Sequence, residues 1–231
     1  AQDLNCLPEE VYFTSGATEA CNWMMKSLSA YTGKLDFPRH YEHHAVLEYP
    51  PVDHPHRTDR PGLTHMMANN ETGEIYDIIS RRRNAPNALF ACDATAAVGQ
   101  IPVDFKALGV DYLAFGAHKF GGISGIGCLI VKKDTPLISM IRGGDQEWGK
   151  RGGTESVALA SAMAAALHDR MGNMVSDMKR IARCRDMLIT YLLRFVPDTY
   201  VNGPYTPGDV VLRLPGNANL SFLGVESQAL V

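Results

Sequence analysis

Ala88-Leu89-Phe90-Ala91-Cys92-Asp93, Tyr112-Leu113-Ala114-Phe115 and Cys128-Leu129-Ile130-Val131 are three apolar runs. The first stops on a carboxylate, and the second is followed closely by His118-Lys119. Continuous apolar strands of this kind suit a sheet covered on both faces, because a strand with one solvated face would alternate polar and apolar residues. Upstream, Val11-Tyr12-Phe13-Thr14 is a short β-prone run halted by Ser15-Gly16. From Glu19 to Leu28, Trp23, Met24 and Leu28 recur at helical spacing. Strand, tight turn and helix follow one another, so the first choice is an α/β domain with a mixed, mostly parallel sheet.

Beyond Thr154 the texture changes. Ser156 to Asp169 is alanine-rich and helical, and Met174 to Phe195 carries apolar residues at 174, 178, 181, 188, 192 and 195 before Pro197 stops it. Two helices are predicted here. Val210 to Leu214 and Leu220 to Phe222 read as strands flanking the turn Pro215-Gly216-Asn217, and Glu226 to Val231 reads as the first turn of another helix. The expected organisation is a large domain over 1–155, connecting helices over 156–195 and a partial small α+β domain over 196–231. Pro50 to Pro61, with four prolines, reads as the clearest irregular loop.

Composition excludes several classes. Hydrophobic residues are 45% and charged residues 20% of the 231, which is ordinary globular usage and neither collagen, coiled coil nor disordered tail. A net charge of -3, with Arg81-Arg82-Arg83 as the sole dense basic run, argues against nucleic-acid binding. That run reads as the solvated end of a helix. The longest weakly polar window, Val157 to Leu167, is too short to span a bilayer. Cys6, Cys21, Cys92, Cys128 and Cys184 are odd in number with no C-x-x-C pair, so neither a zinc site nor a disulfide framework is expected. A reducing compartment follows, the cytoplasm or an organelle matrix. Ala1-Gln2-Asp3-Leu4 lacks an initiator methionine and the basic start of a secretory signal, so the chain is expected to begin after processing or trimming.

Three features point to chemistry. Ser15-Gly16-Ala17-Thr18-Glu19 lies between a predicted strand and a predicted helix, where free N–H groups and the helix dipole favour an anion such as phosphate. The alternative is a plain cap by Ser15 or Thr18. Asp93 ends an apolar strand where α/β proteins place ligands; a carboxylate buried there calls for a cation, or else caps the next segment. Lys119 would emerge at the same sheet edge beside Gly121, Gly122, Gly125 and Gly127. Surface lysines are common, but one in a semi-apolar pocket can condense with an aldehyde. Taken together, carboxylate, lysine and phosphate turn match the pyridine nitrogen, aldehyde and phosphate of pyridoxal 5'-phosphate.

Val11 to Asn22, Glu42 to Leu47, Ala68 to Gly73, Cys92 to Asp104, Ala117-His118-Lys119 and Gly143 to Glu155 together resemble the cysteine desulfurases of the class V aminotransferase family. The resemblance runs from the first strand to Gly224-Val225-Glu226. It implies fold type I and a pyridoxal-phosphate transferase-like large domain. Lys119 is implied to bond the cofactor aldehyde and shuttle protons, and Asp93 to pair with the ring nitrogen. His43 would stack on the ring, and Asn70 would contact the ring hydroxyl and the substrate carboxylate. Ala17, Thr18, His118 and nearby backbone would hold the phosphate, with Thr154 reaching the phosphate of a partner subunit. A homodimer is implied, converting L-cysteine to L-alanine by attack of an enzyme cysteine on the substrate sulfur. The resulting persulfide would pass to a sulfur acceptor or an iron-sulfur cluster assembly scaffold.

The sequence also departs from that pattern. The nucleophilic cysteine and the arginine that binds the substrate carboxylate fall beyond Val225 and are absent from this sequence. The segment normally preceding the first strand is absent too. Cys92, Cys128 and Cys184 are expected to be buried and structural. Ala96 and Gly116 replace a glutamine that contacts the ring hydroxyl and a serine that binds phosphate. Losing two such contacts, at about 1–2 kcal/mol each, weakens cofactor binding by a factor on the order of 10 to 1000. Between His43, itself read on a strand, and Asn70, the span Val46 to Met67 is short enough that a strand-helix unit is missing or compressed. The expectation is therefore a cofactor-binding chain that does not desulfurate by itself. The alternatives are a disabled homologue acting by dimerisation or partner binding, and another pyridoxal-phosphate lyase or aminotransferase of the same fold.

Overall fold

The structure is a computed structural model, which describes residues 1–36, 38, 41–49 and 58–230. Most of the predicted loop over 50–61 therefore lies outside the described residues. In chain order the elements are β1 (Val11–Thr14), α1 (Ala17–Tyr31), β2 (Leu35–Asp36), α2 (His44–Leu47), β3 (Gly62–Met66), α3 (Ile78–Asn84) and β4 (Leu89–Asp93). They continue with α4 (Phe105–Leu108), β5 (Tyr112–Gly116), β6 (Gly127–Val131), the single turn α5 (Gln146–Gly149), α6 (Val157–Phe195), β7 (Thr199–Val201) and β8 (Leu220–Phe222).

The main sheet runs β1-β6-β5-β4-β3-β2, and β7 and β8 form a separate antiparallel ribbon. β2, β3, β4 and β5 are parallel, and β6 is antiparallel to both β5 and β1. Only β6 therefore runs against the rest, and β1, β3, β4 and β5 all finish at one edge of the sheet. Strand parity sorts the core into two layers. Leu89, Ala91, Tyr112, Ala114, Leu129 and Val131 pack with Trp23, Met24 and Leu28 of α1. The alternate residues Phe90, Cys92, Leu113, Phe115, Cys128 and Ile130 pack with Met163, Leu167, Met174 and Met178 of α6. Both faces are covered, which is why these strands lack polar alternation.

Several sequence expectations need correction. The two helices predicted after Thr154 are one helix of 39 residues, α6. No proline interrupts residues 157–195, and Gly172 meets open space, so the i to i−4 ladder passes through the supposed junction. Val210 to Leu214 is not a strand. The Asp209 carboxylate accepts the N–H groups of Val211 and Leu212, and Leu220–Phe222 pairs instead with Thr199–Val201. His43 is not on a strand; it caps α2, its Nδ1 accepting the Ala45 N–H at 3.1 Å. Cys184 is exposed on α6, whereas Cys6, Cys21, Cys92 and Cys128 are buried. Arg81, Arg82 and Arg83 do occupy the last turn of α3, but Arg82 is tied down, donating to the Ala88 carbonyl at 2.6 Å beside Asp111 at 3.6 Å. Among the described residues no helix is long and apolar enough to cross a membrane.

Candidate cofactor site

The strand edge holds a cavity. Of the eight residues singled out in the sequence, it is lined by Ala17, Thr18, His43, Asn70, Asp93, His118 and Lys119. Thr154 is exposed and lies outside it. Each arrives by a short local rule. Asp93 shares strand parity with Leu89 and Ala91, so it belongs to the α1 side of the sheet. Thr95 then folds back and donates its N–H to Asp93 Oδ1 at 2.8 Å, an Asx turn that fixes the carboxylate. Asp93 is 5% exposed and has no ion-pair partner among the described residues. A carboxylate so buried calls for a cationic partner.

On the same side of the sheet, α1 begins at Ala17 with Gly16 at the N-cap and no side-chain cap. Ser15 does not cap the helix: its own N–H is bonded to Glu19 Oε2 at 2.7 Å. The positive end of a 15-residue helix therefore opens on the cavity at Ala17 and Thr18. The turn seats closely on the sheet. A β-carbon at Gly116 would lie 3.1 Å from Ala17 Cβ and 3.1 Å from His118 Nδ1, so the serine of the resembled pattern has little room there.

Arg151 braces the same helix, bonding Glu19 at 2.6 and 3.2 Å. Burial raises the Glu19 pKa, but the bonds from Arg151 and Ser15 outweigh it and hold that carboxylate below its ordinary value. Lys119 ends a 3-10 turn after β5, and Gln100 Nε2 donates to its carbonyl at 2.8 Å. Asn70 follows Asn69, whose Oδ1 accepts the N–H groups of Glu71 and Thr72 at 2.9 and 2.8 Å. Asn217 Nδ2 and Asn219 Nδ2 donate to the Glu71 carbonyl at 2.8 and 3.0 Å, and the Leu214 N–H donates to the Gly73 carbonyl.

The sequence reading passed over Cys21, Met66 and Thr95, which also line the cavity. Spacing could have found them. Cys21 falls one turn after Ala17 and Thr18, Met66 is in parallel register with Asp93, and Thr95 follows Asp93 by two. Burial, then the Asp93 charge, pushes the Cys21 thiol well above its usual pKa, so it is a neutral thiol. Cys92 is raised by burial and then by the same charge. Ala96 also lines the cavity, so that stretch of wall carries no amide.

A parallel sheet whose strand ends gather a lysine, a buried carboxylate, an aromatic side chain and an open helix N-terminus defines the fold type I class of pyridoxal-phosphate proteins. The donor set fits that cofactor: a carboxylate awaiting a cation, an amine lining the same cavity, and uncapped N–H groups for a phosphate. The Aminotransferase class-V family model matches residues 56–230, and the chain belongs to that family, whose members depend on pyridoxal phosphate. It is 34% identical over 258 aligned positions to a cysteine desulfurase IscS of Clostridium botulinum, covering 99% of this chain and 64% of that relative. An IscS-like cysteine desulfurase of Mycobacterium tuberculosis is 32% identical, covering 100% and 67%. Among solved structures, a NifS-like protein superposes with TM-score 0.87 at 26% identity, covering 100% of this chain and 70% of its own. DndA of Streptomyces lividans gives 0.78 at 25%, covering 100% and 72%. The chain thus spans 64% of the length of the Clostridium relative. The 258 aligned positions exceed its 231 residues, so that relative carries residues without a counterpart here.

Proposed function

We propose that this chain is the cofactor-holding part of a pyridoxal-phosphate-dependent cysteine desulfurase. The observation that carries the reading is the convergence of Asp93, Lys119, His43 and the α1 N-terminus on one cavity. Bound there, the cofactor supplies an electron-withdrawing ring that stabilises the charge left at a substrate α carbon. Asp93 would pair with the ring nitrogen, His43 would stack on the ring, and Asn70 would contact the ring hydroxyl and the substrate carboxylate. Ala17, Thr18 and His118 would bind the phosphate, and Thr154 would serve the phosphate of the partner subunit in a homodimer. Lys119 would bond the aldehyde and carry protons to and from the α carbon. Residues 1–155, 156–195 and 196–231 are assigned to large domain, helical connector and small domain in this reading. L-cysteine is its substrate, and a sulfur acceptor or iron-sulfur scaffold its downstream partner.

A second reading is favoured by the cysteines. Desulfuration needs a thiolate within reach of the substrate sulfur. Cys21, the cysteine that lines the cavity among the described residues, is a buried neutral thiol. A disabled desulfurase acting by dimerisation or partner binding, or another lyase or aminotransferase, accommodates that without strain. The purified chain mixed with pyridoxal phosphate should gain visible absorbance that borohydride removes and that Lys119→Ala never shows. Persistent absence of colour in the wild type would end the cofactor reading. Sulfide and alanine formed from L-cysteine would overturn the second reading, and none is expected from these 231 residues alone.

A further inference from the structure

Glu42 immediately precedes His43 and takes no part in the roles above, yet it is 6% exposed. Its place follows from the sheet. Gly62 donates its N–H outward to the Lys34 carbonyl, so by strand alternation the Met66 N–H points to the same outer side. Among the described residues β2 pairs with Gly62 and Leu63, and no strand pairing on that side reaches Met66. Glu42 Oε1 accepts that N–H at 2.8 Å, while Oε2 is buried with no hydrogen-bond partner among the described residues. Met66 is in register with Asp93, and both line the cavity with His43.

We propose that Glu42 is a positioning residue for this site: its bond to the Met66 N–H ties the His43 segment to the strand end beside Asp93. The proposal rests on the cofactor reading. The titratable groups whose charge couples to Glu42 are Asp93 and Cys92 from β4, Cys21 from α1 and Arg81 from α3. Burial first, and then the Asp93 charge, push its pKa up to about 8, against bonding from Met66 and the weaker pull of Arg81. At neutral pH the carboxyl is therefore the neutral acid, which can accept from Met66 without setting a second anion against Asp93.

Two variants separate the parts of this role. Glu42→Gln keeps an oxygen for Met66 but cannot ionise; Glu42→Ala loses both functions. In the cofactor-free chain, a raised folded pKa makes wild-type stability fall as pH rises from 4.5 towards about 8. The urea midpoint of the wild type minus that of Glu42→Gln should therefore decline across that window. A flat difference would overturn the protonation claim without reference to any cofactor. For pyridoxal phosphate titrated at pH 7, Glu42→Gln should bind within about threefold of wild type and Glu42→Ala about tenfold more weakly. Wild-type affinity in Glu42→Ala would overturn the positioning role, whereas failure of the wild type itself to take up the cofactor would overturn the reading beneath it.

Discussion

A β-carbon added at Gly127 would sit 2.6 Å from the Gly16 carbonyl oxygen and 2.7 Å from its Cα, backbone atoms that cannot swing aside. At Gly16 itself nothing lies within 4 Å, and its φ of 164° is extended backbone open to any residue. The glycine that this turn requires is thus on the neighbouring strand β6, and not the one in the T-S-G-A-T motif. Gly127→Ala should destabilise the cofactor-free chain by about 1–3 kcal/mol through overpacking, while Gly16→Ala stays within about 0.5 kcal/mol. Urea unfolding of the two variants checks this, and equal midpoints would contradict the close approach. Sequence inspection finds the motif because glycine before a helix is a local rule. It cannot find Gly127's role, because that depends on β1 and β6 being neighbours.

At the scale of elements, the strands were legible because apolar runs ending on Asp93 and before His118 obey rules internal to a few residues. Asp93, Lys119, Ala17 and Thr18 were legible for the same reason: each sits at a strand or helix end, and strand ends converge in a parallel sheet. The 210–214 segment misled for the opposite reason. Its Val-Val-Leu-Arg-Leu pattern is strand-like, but the Asp209 side chain takes its first N–H groups, and Leu212 and Leu214 bond instead to Ile75 and Gly73. Glu42 carries no role legible in the sequence, since its bond to the Met66 N–H joins residues 24 positions apart.

The α1 brace is an element-scale prediction. Glu19 and Arg151 are largely sheltered, 12% and 21% exposed at their side chains, and joined by two bonds. A double-mutant cycle with Glu19→Gln and Arg151→Met should return a coupling of about 1 kcal/mol at pH 7. Because the folded pKa of Glu19 is lowered, the coupling is fully present above its ordinary value of 4.5 and is lost as pH falls through the folded value. Coupling that persisted in strong acid would mean that the pair acts by packing alone.

Across the whole molecule, the segment around Arg213 joins the ribbon to the turn that carries Asn70, bridging Glu74. The Arg213 guanidinium is fully buried with no carboxylate partner among the described residues, donating to the carbonyls of Asn217, Asn202 and Pro204 at 3.0, 2.9 and 3.0 Å and to Asn217 Oδ1 at 2.8 Å. Asn217 Nδ2 and Asn219 Nδ2 in turn donate to the Glu71 carbonyl at 2.8 and 3.0 Å, and Leu214 N–H bonds Gly73. One buried cation thereby orders the turn that carries Asn70 into the cavity. Arg213→Met keeps the stem's packing but strips those acceptors of their donor, a loss of about 1–3 kcal/mol for buried groups left unpaired. Hydrogen exchange should then accelerate together at Gly73, Ile75 and Leu214, while Phe90 and Asp111 in the paired interior keep their protection. Uniform acceleration throughout β4 and β5 would instead show that sheet and ribbon open as a single cooperative unit, with Arg213 supporting the whole fold and not the Asn70 turn alone.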